Sequence, residues 1–268
     1  MTFQDKIVLI TGGASGIGKI MVRKSLERMA LKVVVWDISS EGLAVLKKDF
    51  IKDSDRIMTY VVDVSQVEQV QNTAEKVLRE VGIVDVLINN AGIVVGKYFH
   101  EHNHQDIERS MQINSHAVMH ITKSFIDRMM QKRSGSICNI ASSAGLISNP
   151  KMSVYAASKW AAVGWSDSLR LEMEELQTRV KVTTIMPFYI NTGMFDGVKS
   201  KLIPILEPEP TAERIMRAIE KETKMLAMPM PYWFIRLSQG ILPLNLFDWV
   251  MRHVFGIYDT MKDFRGRG

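Results

Sequence analysis

The sequence has little cysteine, no long apolar run and no extended block of like charges. Cys138 is the single cysteine among 268 residues, which excludes a disulfide framework and favours a reducing compartment. No uninterrupted apolar stretch reaches the ~18 to 20 residues that a membrane-spanning helix requires. The first residues lead directly into a predicted strand, so no signal peptide is expected. These absences predict a cytoplasmic protein.

The charge of the chain is modest and dispersed. The formal net charge is +5 and the isoelectric point is near 9.2. Because lysine and arginine are spread along the chain without a long run, we expect a solvated basic surface and no nucleic-acid site. With 46% hydrophobic and 24% charged residues, the chain is predicted to be globular.

A glycine-rich turn joins the first predicted strand to the first predicted helix. Lys6–Thr11 is a short apolar run of the kind that forms a buried parallel strand. It is followed by the glycine-rich residues 12–18 and by a helical pattern from Lys19 to about Met29. Such glycines let the backbone approach a pyrophosphate at a helix N-terminus. This pattern predicts a dinucleotide site.

The second predicted strand, Lys32–Asp37, ends in an acid about twenty residues beyond the glycines. A carboxylate at this position can accept both hydroxyls of the adenosine ribose, and it repels a 2′-phosphate. The sequence has no arginine or lysine within the glycine turn or directly after Asp37. We therefore predict NAD as the cofactor rather than NADP. The alternative is that Asp37 merely caps the next helix.

Strand-like and helix-like patterns alternate along most of the chain. This βαβ alternation implies a parallel sheet with helices on both faces, and ligands bind beyond the C-terminal ends of its strands. We predict an α/β fold, a Rossmann-type doubly wound parallel sheet in residues 1–228, with a substrate lid over 187–210. Residues 229–268 are predicted to form a C-terminal amphipathic helical extension. The further predicted strands are Arg56–Val62, Val84–Asn89, Ser136–Ala141, Lys181–Met186 and Lys224–Met228.

Tyr155 and Lys159 form an i, i+4 pair in a predicted helix, and Ser142 comes thirteen positions before the tyrosine. Side chains at i and i+4 lie on one helix face. A cation about 4 Å away supplies roughly the ~4 kcal/mol that holds a phenolate at neutral pH. We therefore expect Lys159 to lower the pKa of Tyr155. For the isolated pair, an ordinary half-buried tyrosine and a solvated lysine remain the alternative.

These motifs together resemble the short-chain dehydrogenase/reductase family. The resemblance extends from Lys6 to about Met194, with the motifs in the family's order and spacing. It implies a dehydrogenase that transfers hydride between an alcohol and a nicotinamide. The matching motifs are Thr11-Gly12-x-x-x-Gly16-x-Gly18, Asp63-Val64, Asn89-Asn90-Ala91-Gly92, Asn114, Ser142, Tyr155-x-x-x-Lys159, and Pro187 with Thr192.

The resemblance also implies a role for each matching residue. Tyr155 would be the general acid/base that takes the alcohol proton, and Ser142 would hold the substrate oxygen. Lys159 would lower the tyrosine pKa and bind the nicotinamide ribose. Asn114 would hold a water in a proton relay, although alone it would be interpreted as a structural helix residue. The implied substrate contacts are Ser142, Tyr155, Val94 and Phe188, and the implied cofactor contacts are Gly12, Ser15, Gly16, Ile17, Gly18, Asp37, Ile38, Asp63, Val64, Asn90, Ala91, Gly92, Tyr155, Lys159, Pro187, Ile190 and Thr192.

Three alternating histidines, His100, His102 and His104, are the sequence's nearest approach to a metal motif. No cysteine or distant carboxylate pattern completes a ligand set. We therefore predict no metal site.

The substrate preference is expected to depend on the lid and on the C-terminal extension. The lid is rich in apolar residues, which favours an apolar substrate. From Pro229 onward aromatic residues, prolines and arginines alternate. Helices of this composition can wall a pocket, bury an oligomer contact or lie on a membrane surface. The sequence leaves these three alternatives open, including peripheral membrane contact.

A narrower resemblance is found in three short motifs, Val163-Gly164-Trp165, Asn191-Thr192-Gly193 and Leu206-Glu207-Pro208-Glu209. They are similar to the branch that holds retinol dehydrogenases and 17β-hydroxysteroid dehydrogenases. This implies a lipophilic alcohol that resembles a steroid, a retinol or a fatty alcohol. Members commonly carry an N-terminal hydrophobic anchor, which is not recognised here. The family resemblance further implies a homodimer or homotetramer paired through helices near 103–130 and 153–178.

Two other functions remain open at this point. One is an NAD(P)H-dependent reductase of the 3-ketoacyl type, for which Asp37 is unfavourable because reductive metabolism usually draws on NADPH. The other is a non-catalytic NAD-binding scaffold. The intact set of Ser142, Tyr155 and Lys159 argues against a scaffold.

Overall fold

A computed structural model describes residues 1–229 and 231–266, and for residues 231 and 232 it describes the backbone alone. Met230, Arg267 and Gly268, which belong to the predicted C-terminal extension, lie outside the described residues.

Seven parallel strands form one sheet in the order β3-β2-β1-β4-β5-β6-β7. The order reverses between β1 and β4, and a crevice for ligands opens at such a switch point beyond the C-terminal strand ends. The predicted doubly wound sheet is therefore confirmed. The strands are β1 Ile7–Thr11, β2 Lys32–Asp37, β3 Ile57–Val61, β4 Val86–Asn89, β5 Gly135–Ile140, β6 Val180–Pro187 and β7 Met225–Met228.

The helices connect these strands and extend beyond the last one. A π-helical turn over Gln112–His116 joins α4 to α5. The helices are α1 Gly16–Glu27, α2 Ser40–Asp49, α3 Val67–Glu80, α4 His104–Met111, α5 Ala117–Lys132, α6 Ser153–Glu175, α7 Pro208–Glu220, α8 Pro231–Ile241 and α9 Leu244–Trp249.

Two helices begin earlier than the sequence pattern indicated. Helix α1 starts at Gly16 rather than Lys19, because the last glycines of the turn already have helical hydrogen bonding. The sequence from Thr211 to Thr223 has a helical pattern, but helix α7 already starts at Pro208. Proline is well accommodated in the first turn of a helix, where its missing N–H has no intrahelical partner. The apolar periodicity marks only the buried part of each helix, so both predictions began too late.

The sheet separates two apolar layers. On one face, α1, α2 and α7 pack through residues such as Met21, Leu46 and Ile215. On the other face, α3, α5 and α6 pack through Val77, Phe125 and other buried residues. Each fully buried aliphatic or aromatic side chain contributes about 1.5–3 kcal/mol to folding. The layers hold the C-terminal ends of the strands in fixed positions.

Helices α1 and α7 also meet through charged side chains. The ammonium of Lys24 lies 2.6 Å from Glu209 and 3.1 Å from Glu213. The guanidinium of Arg28 lies 2.7 Å from Glu213, and that of Arg217 lies 2.9 Å from the same residue. These residues are called here the α1–α7 ion-pair network.

A third apolar cluster lies beyond the C-terminal strand ends. It includes Tyr155 and Phe188, together with Phe247 and Met251 from the segment after β7. The segment that follows the sheet thus packs over the end where ligands bind. None of the helices in residues 1–229 and 231–266 combines the length and apolar character needed to cross a bilayer.

Candidate active site

A cavity of about 270 Å³ opens beyond the C-terminal ends of β1 to β6. Its lining includes every predicted site residue except Asn114 and Val94. The predicted residues that line it are Gly12, Ser15, Gly16, Ile17, Gly18, Asp37, Ile38, Asp63, Val64, Asn90, Ala91, Gly92, Ser142, Tyr155, Lys159, Pro187, Phe188, Ile190 and Thr192.

The glycine turn shapes one end of this cavity. Gly12 has a φ of +63°, which side chains rarely tolerate. A Cβ on Gly18 would lie 2.1 Å from the carbonyl oxygen of Gly12, so only glycine lets α1 approach β1 this closely. The first N–H groups of a helix have no intrahelical partner. The turn therefore fits the pyrophosphate of a dinucleotide.

The carboxylate of Asp37 is fixed at the rim of this end. It accepts hydrogen bonds from the backbone N–H of Ala14 and of Ser39, both at 3.0 Å. The N-cap of α2 is Ser39, whose hydroxyl accepts from the N–H of Gly42. Helix capping is thus performed by Ser39 rather than Asp37. A carboxylate has about four lone-pair sites, so Asp37 retains acceptor capacity toward a ribose.

The ends of β3 and β4 provide the next part of the wall. Asp63 accepts hydrogen bonds from the backbone and the hydroxyl of Ser65, at 3.0 and 2.7 Å. The side-chain amide of Asn90 donates to the carbonyls of Thr11 and Gly12, at 3.0 and 3.1 Å. Asn90 therefore ties β4 to the glycine turn. The turn after β4 thus has both a packing role and a place on the cavity wall.

Ser142, Tyr155 and Lys159 meet at the other end of the cavity. Ser142 follows β5, and its hydroxyl accepts from the N–H of Ala144 at 3.1 Å. Tyr155 and Lys159 are both buried on α6. The ammonium of Lys159 donates to the carbonyl of Ile140 at 3.0 Å and lies 5.8 Å from the centre of the Tyr155 ring. Residues from β5 and α6 thus place a hydroxyl, a phenol and an ammonium side by side.

Burial dominates the electrostatics of this group. It raises the pKa of Tyr155 to about 12, with a further increase from Tyr189, while the hydrogen bond with Ser142 acts in the opposite direction. Burial also lowers the pKa of Lys159 to about 8. The sequence argument expected Lys159 to lower the tyrosine pKa, and the direction is reversed. Desolvation disfavours both charged forms, and the argument from spacing did not include it.

Asn114 and Val94 lie near the cavity without lining it. Asn114 is buried in the π-helical turn, where its amide oxygen accepts from the N–H of Ile93 at 2.9 Å. Its NH₂ donates to the Ile93 carbonyl at 2.9 Å and to the Ser158 hydroxyl at 3.1 Å. Val94 packs against the apolar cluster that contains Tyr155. Asn114 thus joins the segment after β4 to α6.

Some cavity residues were not identified from the sequence. Arg109 on α4 and Ile113 in the π-helical turn line the cavity one helical turn apart. Ile113 directly precedes Asn114, and this neighbourhood was the one feature of the sequence that could have indicated that Ile113 lies at the site. The other lining residues that were missed are Trp36, Val62, Ile93, Ile140 and Ala141.

Aromatic rings surround the end of the cavity that contains Tyr155. The ring of Phe195 meets those of Tyr155 and Tyr189 edge-on, with centroids 6.2 and 4.9 Å apart. The Tyr189 hydroxyl shares a 3.0 Å hydrogen bond with Thr260 and accepts from the amide of Asn149 at 3.1 Å. This polar contact fastens the C-terminal segment to the end of β6. Apart from this contact, the cavity end beside Tyr155 is lined largely by apolar side chains, including Phe188 and Phe195.

The alternating histidines take no part in this site. Within residues 1–229 and 231–266, no group of three or more histidine, cysteine or acidic side chains is arranged to hold a metal ion.

Comparison with known proteins gives similarity along nearly the whole chain. The short chain dehydrogenase family model matches residues 6–202. Epidermal retinol dehydrogenase 2 of Homo sapiens is 38% identical over 264 residues, covering 97% of this chain and 85% of that protein. Estradiol 17-beta-dehydrogenase 11 of Homo sapiens is 34% identical over 261 residues, covering 97% of this chain and 87% of that protein.

Solved structures share the fold at lower identity. A short chain dehydrogenase/reductase from Burkholderia phymatum in complex with NAD has a TM-score of 0.81 and 24% identity, covering 90% of this chain and 95% of that one. A short chain dehydrogenase from Burkholderia cenocepacia in complex with NADP has a TM-score of 0.80 and 23% identity, covering 94% and 99%. At these identities the likeness concerns the fold alone.

Proposed function

Because this chain belongs to the short chain dehydrogenase family and is an oxidoreductase that uses NAD(P), we propose that it transfers hydride between a lipophilic alcohol and NAD. The observation that carries the proposal is the shared cavity, with the glycine turn at one end and Ser142, Tyr155 and Lys159 at the other. A dinucleotide held by the glycine turn would reach the phenol.

Tyr155 is proposed as the general acid/base. In alcohol oxidation the hydroxyl proton passes to the oxygen of Tyr155, while Ser142 donates a hydrogen bond that holds the substrate oxygen. A bound oxidised nicotinamide would supply the acceptor for the hydride that leaves the carbinol carbon. In reduction the same tyrosine returns its proton to the carbonyl oxygen. The net pKa of Tyr155 is raised by burial; against this, the ammonium of Lys159 is proposed to make the phenolate less unfavourable. Lys159 is also proposed to bind the nicotinamide ribose, and Asn114 to hold a relay water.

NAD is proposed as the preferred cofactor. The support comes from Asp37, whose carboxylate is held at the cavity rim by two backbone N–H groups. A 2′-phosphate at this position would meet a fixed negative charge, whereas ribose hydroxyls would find an acceptor. The other predicted cofactor contacts, from Gly12 to Thr192, line the same cavity and are proposed to contact the rest of the dinucleotide.

A lipophilic alcohol is proposed as the substrate, of steroid, retinol or fatty-alcohol type. The support is the aromatic lining from Phe188 and Phe195, together with relatives named as retinol and estradiol dehydrogenases.

Residues 187–210 are proposed to act as a lid. Residues 229–268 are proposed to form an extension that walls the substrate end and contacts a membrane peripherally.

A homodimer or homotetramer is proposed for the assembly, paired through helices α4 to α6. The outward side of α6 carries Trp160 and Leu171, both exposed. A Cβ on Gly164 would meet nothing within 4 Å, so this side of the helix is open. An apolar helix face of this kind is suited to pairing.

The test of the catalytic proposal is turnover by wild type and Tyr155→Phe. We expect wild type to form NADH with retinoid, steroid or medium-chain alcohols. Tyr155→Phe is expected to lose about 10²- to 10⁴-fold in turnover while still binding NADH by fluorescence. NADH binding by the wild type without turnover of any alcohol or ketone would favour a non-catalytic scaffold instead.

The test of the cofactor proposal is Asp37→Ser, with Asp63→Ser as the matched control at the neighbouring strand end. Losing hydrogen bonds to a charged acceptor costs NAD about 10- to 100-fold in affinity. We therefore expect Asp37→Ser to lower the preference for NAD over NADP by that factor, and Asp63→Ser to change the ratio little. A wild type that prefers NADP would contradict the proposal.

A second candidate function is a reductase of the ketoacyl type. It is favoured by the raised pKa of Tyr155, about 12, which keeps the phenol protonated and ready to donate. The two functions are separated by cofactor preference and by comparing ketone reduction with alcohol oxidation under matched conditions.

A further inference from the structure

The outward side of α8 carries large apolar side chains that contact solvent. Phe234, Leu237 and Ile241 are 69%, 61% and 70% exposed. Their spacing of three and four positions places them on one face of the helix. Ile235, by contrast, is buried in the cluster that contains Tyr155. Helix α8 is therefore apolar both toward the third apolar cluster and toward solvent.

Helix α9 continues this surface. Leu244, Leu246 and Trp249 are 72%, 48% and 55% exposed, while Phe247 is buried in the cluster beneath. The surface formed by the exposed apolar side chains of both helices is called the α8–α9 face. Large apolar side chains exposed together on two neighbouring helices mark an interaction site rather than an ordinary solvated surface.

Among the lysine, arginine and acidic side chains of residues 233–254, the exposed ones are arginines. Arg236 and Arg252 are both exposed. Asp248, the one acid of α8 and α9, is partly buried and accepts a 2.6 Å hydrogen bond from the hydroxyl of Tyr258. A bilayer interface accepts tryptophan, phenylalanine and leucine at the acyl boundary, and anionic headgroups pair with arginine. The face therefore complements an anionic bilayer.

A second copy of the chain complements the face less well. Two-fold pairing would set the same patch against itself, so the arginines at its edge would approach those of the other copy. Like charges brought together across an interface oppose association.

We propose that the α8–α9 face docks on a bilayer that contains anionic phospholipid. The proposal deepens the peripheral contact proposed above and rests on that function for its purpose, the supply of a lipophilic alcohol. Phe247 and Met251 lie in one cluster with Tyr155 and Phe188. Docking therefore brings the substrate end of the cavity close to the bilayer.

The experiment is vesicle flotation of the full chain without cofactor. Phosphatidylcholine vesicles are compared with vesicles that also contain phosphatidylserine. Leu237→Glu is expected to weaken binding at least about tenfold, because a charge would replace a leucine that docking buries in the bilayer. Arg236→Gln combined with Arg252→Gln is expected to remove most of the preference for phosphatidylserine, about fivefold for each arginine. Leu176→Glu, which replaces an equally exposed leucine (61%) at the end of α6, should bind as wild type does.

Each outcome supports or overturns the proposal. It is overturned if wild type ignores both vesicles, if phosphatidylserine makes no difference, or if Leu237→Glu and Leu176→Glu weaken binding equally. It is also overturned if Leu237→Glu converts an oligomer to monomers in light scattering, because the face would then pair copies of the chain. Turnover of a water-soluble alcohol without vesicles is measured in parallel, so that failure of docking is distinguishable from failure of the dehydrogenase function.

Discussion

Two buried lysines show how differently the fold uses charge in two regions. Lys24 on α1 is 6% exposed and Lys159 on α6 is 5% exposed, so burial disfavours both ammonium groups. At Lys24, burial lowers the pKa, but the hydrogen bonds that its ammonium donates to Glu209 and Glu213 outweigh burial and raise it. At Lys159, burial lowers the pKa to about 8, and the hydrogen-bond partner is the Ile140 carbonyl.

The opposite pKa shifts show that the charge of Lys24 stabilises the fold, whereas the charge of Lys159 destabilises it. In the α1–α7 ion-pair network each cation faces carboxylates, so its charge contributes to packing between two helices. In the cavity, the ammonium of Lys159 is buried without a carboxylate partner among the described residues, so its charge costs stability at neutral pH. Groups with such perturbed pKa values cluster at functional sites. Both regions contain perturbed pKa values, but those of the network come from ion pairs, whereas those of the cavity come from desolvation, as expected of a catalytic centre.

The largest expected effect comes from Lys159→Met. The folded-state pKa of Lys159, about 8, lies below its value of 10.5 without burial. The buried charge therefore destabilises the fold below pH about 8, and this cost disappears as the pH rises from about 8 to 10.5. At pH 7 the variant should be more stable by up to about 3 kcal/mol, with turnover reduced about a hundredfold or more.

Urea unfolding of wild type and Lys159→Met at pH 7 and pH 10 measures this effect. The stability difference should shrink at the higher pH. Lys159→Arg, which remains charged throughout, serves as the control and should gain no stability. A variant that is less stable than wild type at pH 7 would show that the fold favours the ammonium.

A smaller effect of opposite sign is expected from Lys24→Met. Removal of the cation leaves Glu209 and Glu213 with fewer partners, although both carboxylates retain contact with solvent. We expect a loss of about 1–2 kcal/mol in the free energy of unfolding and unchanged turnover. Urea unfolding and NADH formation are measured on the same preparation. Equal losses of stability in Lys24→Met and Lys159→Met would remove the distinction between the two regions.

The smallest effect is expected from Glu213→Gln. Burial opposes the charge of Glu213, but hydrogen bonds from Arg28, Lys24 and Arg217 lower its pKa to about 2. Its stabilisation is fully present above the ordinary carboxyl pKa of 4.5 and is lost as the pH falls toward about 2. After allowance for solvent screening, we expect a loss of about 1 kcal/mol at neutral pH.

Urea unfolding at a series of acidic pH values tests this expectation, because the gap between variant and wild type should narrow below pH 4.5. Glu175→Gln, at the exposed end of α6, is the matched control and should stay within about 0.5 kcal/mol of wild type. A gap that persists unchanged in acid would assign the loss to packing rather than to charge.

The sheet could be predicted from sequence because buried parallel strands are continuous apolar runs. The seven apolar runs found in the sequence, the last of them just before Pro229, correspond to the seven strands β1 to β7. The starts of α1 and α7 were placed too late, since glycine and proline in a first turn obscure the helical pattern. Arg109 was missed because an arginine on a helix gives no sign of which side it faces.

The pKa of Tyr155 shows the limit of an argument from spacing. The interval between Tyr155 and Lys159 correctly places both side chains on one face of α6. It carries no information about desolvation, which depends on Phe188, Phe195 and the C-terminal segment folding over that face. The expected direction of the shift was therefore reversed.

The sequence by itself determined the family, the order of strands and helices, and most of the residues that reach the cavity. These follow from periodicity and motif spacing, which are properties of neighbours along the chain. The tertiary structure alone decided which lysine is paired, how strongly Tyr155 is desolvated, and that α8 and α9 turn apolar side chains toward solvent. Burial and charge pairing arise between residues far apart in sequence, so only the folded chain determines them.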